Sequence, residues 1–204
     1  HRDLHSFPTR RSSDLPNWLA GIDNVLEYNP LKNLQFVGGI TLEHEEVADD
    51  FAITHSYDQD ISPPSPDRPP MVANRLFSIY LQGQVSFLRY LMLTAGARQD
   101  FSSYYHEALT PRVALMFNIH HFSARIAWME AFRAPRPWDY TAGAGNPDLK
   151  PEQMKSGEFS LSYQPIPALR LETSVYYNKL SQMLVTEFTD TLSNRRWSNH
   201  DEAT

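Results

Sequence analysis

The sequence predicts an all-β chain, a partial antiparallel up-and-down transmembrane β-barrel. Three observations lead there. Apolar and polar residues alternate with a period of two through most of the chain, the signature of half-buried strands. Long and short connections between these segments take turns. Aromatic residues, 12% of the chain, gather at the segment ends.

The first strand falls near 34–47. In "RLFSIYLQGQVSF", Phe77, Ile79, Leu81 and Val85 alternate with Ser78, Tyr80, Gln82 and Gln84. In "LMLTAGARQD", Leu91, Leu93, Ala95 and Ala97 alternate with Met92, Thr94, Gly96 and Arg98. "PRVALMFN" and "FSARIAWME" behave alike. "SGEFSLSYQP" sets Phe159, Leu161 and Tyr163 against Glu158, Ser160 and Ser162; "LRLETSVYYNK" sets Leu169, Leu171, Thr173 and Val175 against Arg170, Glu172 and Ser174. Each segment has one apolar face and one carrying Gln, Ser, Thr, Arg and Glu, as strands between lipid and a polar interior require.

The connections are a long Pro-rich and acidic loop (48–71), a tight turn at Leu88-Arg89, a medium loop "SSYYHEA", the turn "NIHH", a long loop (134–152), the turn "QPIPA" and a medium stretch near 188–194. A meander whose two ends face different environments has this bias, and in outer-membrane barrels the short turns are periplasmic. A soluble β-sandwich has no such two-sided bias. Phe87, Tyr90, Phe117, Phe122 and Tyr163 flank short turns, while Phe101, Tyr104, Tyr105, Trp138 and Tyr140 flank longer loops. Two interfacial girdles place aromatics so; strand propensity explains their abundance but not their clustering.

Composition narrows the function. The formal net charge is −6, which argues against nucleic acid as a partner. Zero Cys excludes a disulfide scaffold and thiolate metal sites. No apolar run reaches the roughly 18 residues of a transmembrane helix, and mean hydropathy of −0.47 does not exclude a barrel, where only alternate residues meet lipid. Residues 1–15, "HRDLHSFPTRRSSDL", lack any apolar core or alternation, and they read as the in-frame translation of a sequencing adapter. They are expected to be non-native and are set aside, leaving 16–204 as the barrel segment. Truncation at both ends is expected, since "SNHDEAT" does not close a strand.

Residues 130–163, "EAFRAPRPWDYTAGAGNPDLKPEQMKSGEFSLSY", carry a family resemblance. Phe132, Arg133, Ala134 and Pro135 end a strand; Gly145, Asn146, Pro147, Leu149, Pro151 and Glu152 form a "GNPxLxPE" loop; Ser156 and Glu158 open the next strand. Upstream stand "AGARQD" and "LTPRVAL", and downstream "VYYNKLSQML". These ordered motifs resemble the barrel of TonB-dependent outer-membrane receptors. The resemblance implies roughly eight or nine strands of a barrel of about 22, with the plug domain absent. It implies part of a TonB-energised receptor in the outer membrane of a Gram-negative bacterium. Such a receptor imports a scarce large ligand, an iron–siderophore, haem or cobalamin. It implies as partners outer-membrane lipid, a small-molecule or metal-chelate ligand, and the TonB complex, reached through an N-terminal part that this chain lacks. No cofactor is expected.

Each motif residue also has a plainer reading. The prolines of 134–152 mark loop, since they cannot donate ladder hydrogen bonds. Arg98, Asp100, Arg112, Arg125, Glu158 and Glu172 fall on the polar, lumen-facing side; a charge ladder that packs the interior and meets a plug is preferred over ligand contact. Ligand contact is expected from loops 48–71 and 134–152, because recognition concentrates in loops on a rigid scaffold. "LEHEEVADD" with Asp58 and Asp60 lacks EF-hand spacing and reads as a solvated loop, and His120-His121 cannot aim at one metal from adjacent positions. No metal site is expected. No G-x-S-x-G, H-E-x-x-H or Walker loop is present, so the chain is not read as an enzyme. The alternatives are a passive porin-type barrel, which lacks these motifs, and a soluble β-sandwich binding module.

Overall fold

The computed structural model describes residues 18–48, 71–136, 139–140, 146–189 and 194–201. Strands β1 (Trp18–Leu31), β2 (Leu34–Ala48), β3 (Met71–Phe87), β4 (Leu91–Ser102), β5 (His106–Ile119), β6 (Phe122–Arg133), β7 (Glu152–Ile166) and β8 (Leu169–Ser181) form one sheet in chain order. Each is antiparallel to the next. This is the expected partial up-and-down barrel, with β1 and β8 as its edges among the described residues. A separate hairpin, β9 (Met183–Thr189) and β10 (Asn194–His200), follows β8.

Register sorts the side chains into two faces. One row runs Val85, Leu93, Leu115, Ile126, Phe159 and Val175 across β3 to β8. The row one residue away runs Gln84, Thr94, Ala114, Ala127, Glu158 and Tyr176. Because pleat period is two, every strand repeats this choice. The result is inverted relative to a water-soluble protein. The large apolar residues are exposed, among them Ile79, Leu81, Ile126 and Val175. The buried set is mostly polar: Thr41, Ser78, Asp100, Ser102, Asp139 and Asn146, with Ala127, Pro135 and Leu149 as the apolar members among the described residues. An apolar face of this extent has no stable place in water. No second sheet covers it among the described residues, so the sandwich alternative fails.

The apolar band has the right height. On β3 it runs from Phe77 to Phe87; at about 3.3 Å per residue and a tilt of ~40° it spans roughly 25 Å, the thickness of an outer-membrane barrel's lipid belt. Aromatic pairs mark both ends. Tyr90 meets Phe117 edge-on at 5.5 Å and Phe122 stacks on Tyr163 at 4.3 Å beside the short turns. Beside the loops, Phe77 stacks on Phe101 at 6.0 Å and Tyr105 meets Phe132 at 5.2 Å. Trp138 lies outside the described residues.

Three local expectations need correction. β1 was not apparent in the sequence, because Leu19 and Val25 sit on the polar-face parity and Asn24 on the apolar one, which blurs the alternation. "SSYYHEA" is no medium loop: β4 runs to Ser102 and β5 starts at His106, which carries a positive φ of 65°. Connection lengths therefore alternate less strictly than the sequence suggested. "VYYNKLSQML" is not one strand, since Gln182 adopts φ 56° between β8 and β9. In the tight three-residue turn between β3 and β4 (88–90), Leu88 and Arg89 both take positive φ.

Candidate functional site: the polar face and the loop clamp

The polar face is organised by charge pairs across and along strands. Arg98 donates from Nε to Asp100 Oδ1 at 2.7 Å and from an Nη to Ser78 Oγ at 2.9 Å. Asp100 and Ser78 are buried and directly opposite one another on β4 and β3. On the next strands Thr41 Oγ1 donates to Asp23 at 2.9 Å. Arg125 pairs with Glu158 at 3.4 Å, and Ser160 donates to the same carboxylate at 2.6 Å. Glu172 pairs with Arg170, a partner the sequence reading did not single out, and Arg170 donates to Ser162 at 3.1 Å. Arg112 has no carboxylate partner among the described residues. All six charged positions expected on one face are thus on one face, and five of them enter ion pairs.

A depression of about 410 Å³ opens on this face, lined by Asp23, Thr41, Tyr80, Arg98, Thr110 and Arg112. Gly39 makes it possible. A Cβ there would stand 2.6 Å from the Tyr80 hydroxyl, so glycine lets the tyrosine lie flat on β2.

The "GNPDLKPE" segment forms a second polar centre at the loop end. Asn146 is buried and acts as a hub: its side-chain amide donates to Trp197 O at 2.8 Å, and its Oδ1 accepts from the Asp148 N–H at 3.2 Å and from Arg196 at 3.4 Å. Asn199 makes a reciprocal pair with Lys150, accepting from its N–H at 2.8 Å and donating to its carbonyl at 2.9 Å. The Leu184 N–H donates to Glu152 Oε1 at 2.8 Å, and Glu152 also pairs with Arg133. The segment 146–152 is therefore sewn to the β9–β10 hairpin by side-chain amides that mimic strand pairing. Asp139, 2% exposed, accepts from the Arg136 N–H at 2.8 Å and from its guanidinium at 3.2 Å. Arg136 in turn lies over the Trp197 ring at 6.0 Å. Leu149 and Pro135 are buried, whereas Pro147 is exposed and Ala134 and Pro151 are half-buried. Gly145, and loop 49–70 with Asp58 and Asp60, lie outside the described residues.

Aromatic side chains complete this end. Tyr104 meets Tyr140 at 5.6 Å. Burial pushes the Tyr105 phenol up to about 12, with the nearby Asp100 carboxylate adding to the effect. Burial, then Asp139, raises Tyr140 as well. Nothing in the sequence marks Asn199 and Trp197, whose partners Lys150 and Asn146 are about 50 positions away. Arg136 and Asp139 pair three residues apart inside a polar, loop-like stretch with no periodic signal.

Known proteins agree with this architecture. The family described as TonB dependent receptor-like, beta-barrel matches residues 4–204. An iron-regulated outer membrane virulence protein of Vibrio cholerae serotype O1 is 26% identical over 118 residues, 52% of this chain and 18% of its own length. The siderophore receptor PirA from Pseudomonas aeruginosa superposes with a TM-score of 0.70 at 17% identity, covering 92% of this chain and 35% of its own. A Q482A mutant of the ferric enterobactin receptor PfeA from the same organism, in complex with enterobactin, gives 0.71 at 17% identity, with 92% and 32% covered. At such identity the likeness is one of fold, and the chain spans about a third of the solved receptors it matches. The match over nearly the whole chain, with an outward apolar face, shows that this chain belongs to the TonB-dependent receptor β-barrel family, a receptor barrel of the Gram-negative outer membrane and not an enzyme.

Proposed function

We propose that this chain is wall and loop structure of a TonB-energised receptor that imports an iron–siderophore complex. The observation that carries the reading is the superposition of an inside-out sheet on siderophore receptors over 92% of the chain. The iron-regulated relative supports an iron source as the ligand.

In this reading the polar face is the lumen wall. Arg98, Asp100, Arg125, Glu158 and Glu172 form its charge ladder, their mutual pairing supporting a packing role against a plug. Arg112 and Tyr80, in the open depression, are positioned for a passing anionic chelate. Recognition belongs to loops 48–71 and 134–152, and Asn146 ties the end of the second to the β9–β10 hairpin. The outer face meets lipid, and coupling to the TonB complex is assigned to no residue of this chain. Residues 1–15 are read as adapter-derived.

The test is uptake by iron-starved cells whose own siderophore receptors are deleted, carrying the intact receptor. Labelled ferric siderophore should enter in a TonB-dependent manner, and Arg112→Gln should slow entry. Uptake of haem or cobalamin with no ferric siderophore entering would refute the assignment.

A further inference from the structure

One corner of the outer face carries a cation and an apolar groove that no part of the import function uses. Ile22, Leu42, Phe77 and Phe101 form one outward row across β1 to β4, at the loop-side edge of the apolar band. The next row toward the loops holds Ala20, His44 and Arg75, which face one another on β1, β2 and β3. A depression of about 550 Å³ opens between the two rows, where Ala20 offers only a methyl group. The neighbouring carboxylate is already engaged. Glu46 accepts from the Trp18 indole N–H at 2.8 Å and lies 3.6 Å from His44, whose ring meets Trp18 at 5.1 Å. Ser103 holds the Arg75 backbone on both sides: its N–H donates to the Arg75 carbonyl at 3.0 Å, and its Oγ accepts from the Arg75 N–H at 2.9 Å. The Arg75 side chain is exposed, and no carboxylate among the described residues pairs with its guanidinium. Glu107, in the row of Phe77 and Phe101, stands two strands away, about 10 Å across the sheet.

A guanidinium does not lose its charge. At the edge of the hydrocarbon a long cationic side chain reaches for the headgroup layer. That layer offers phosphate, which the guanidinium fork pairs with bidentately. An ion free in solution would satisfy the cation and leave the groove empty. An anion joined to hydrocarbon satisfies both, since the two rows are about 7 Å apart along the strands. We infer that Arg75, with His44 beside it, holds the phosphate of a phosphorylated lipid in the leaflet on the loop side, and that one acyl chain of this lipid lies along Leu42 and Phe77. The inference requires only that the barrel is in a membrane, so it stands or falls separately from the choice of imported ligand.

The experiment is native mass spectrometry of the intact receptor in detergent, titrated with phosphatidic acid and, in parallel, with diacylglycerol of the same chains. Phosphatidic acid should be retained in preference to diacylglycerol. Arg75→Gln should weaken phosphatidic acid about five-fold, the equivalent of the roughly 1 kcal/mol that one cation near a charged surface contributes, and leave diacylglycerol unchanged. Ala20→Trp, which fills the groove, should weaken both lipids. Lys155→Gln removes a cation of the same face that pairs with Glu130, and should change neither. Heat-modified gel migration confirms that each variant is folded. If Arg75→Gln does not insert, His44→Ala decides the matter, and it too should weaken phosphatidic acid alone. Equal binding of the two lipids, unchanged phosphatidic acid binding in Arg75→Gln, an equal loss in Lys155→Gln, or displacement of the lipid by inorganic phosphate alone would each overturn the assignment.

Discussion

Substituting arginine along β3 and β4 tests the two-faced sheet with a graded outcome. Leu81 is 61% exposed and pairs with Ala97. From Phe87 it lies roughly 20 Å along the strand, at about 3.3 Å per residue, and it is close to the centre of the apolar band. Arginine at the bilayer midplane costs about 2–4 kcal/mol, falling to about 0–1 near the interfaces. Leu81→Arg should therefore cost the full amount. Leu93 pairs with Val85, one row in from the Phe87–Leu91 row beside the turn, so it is shallower than Leu81. Leu93→Arg should cost about half as much, as the same depth scale implies. Thr94, one residue on, points to the polar face, where its hydroxyl makes only a 3.5 Å contact to Gln84. Losing that contact costs about 1 kcal/mol at most, and an arginine there meets water and other polar groups. Equilibrium unfolding of the intact barrel in lipid vesicles measures all three. The order Leu81, Leu93, Thr94 is the expected result. Equal costs at Leu93 and Thr94 would mean that the faces are assigned wrongly.

Other outcomes follow from the same geometry. Asn146→Ala removes side-chain hydrogen bonds to Trp197 O, the Asp148 N–H and Arg196. At about 1 kcal/mol each it should speed hydrogen exchange at the Lys150 and Leu184 amides while leaving those of β3 to β6 unchanged. In the intact receptor on cells, Cys at Ser65 or Ala144 should react with a membrane-impermeant thiol reagent and Cys at Ile119 or Ile166 should not; the reverse pattern would invert the topology. Isolated residues 16–204 should need detergent or lipid, because the apolar face is uncovered and β1 and β8 present open edges. A monodisperse monomer in plain buffer would contradict that. Tyr105, raised from 10.0 to about 12, keeps its proton in the folded protein while the unfolded chain has lost it. Stability should then fall as pH rises through that window, with phenolate absorbance delayed to its upper end.

The identity of the two faces was legible in the sequence for most strands, β1 excepted, because a strand's side-chain period is two and a wall between lipid and lumen sorts its residues by it. Phe77 to Val85 and Leu91 to Ala97 declare their faces by alternation alone, and the same alternation put Arg98, Asp100, Arg112, Arg125, Glu158 and Glu172 together. The motif stretch from Phe132 to Glu152 pointed to the family for a similar reason, its order along the chain being local information. Tertiary structure alone decided who pairs with whom. Asn146 and Trp197, or Lys150 and Asn199, are about 50 positions apart, and nothing periodic links them. The opposition of His44 and Arg75 depends on the register of β2 against β3, which alternation alone leaves open in steps of two residues. Alternation tells a residue which side it is on; only register tells it its neighbours.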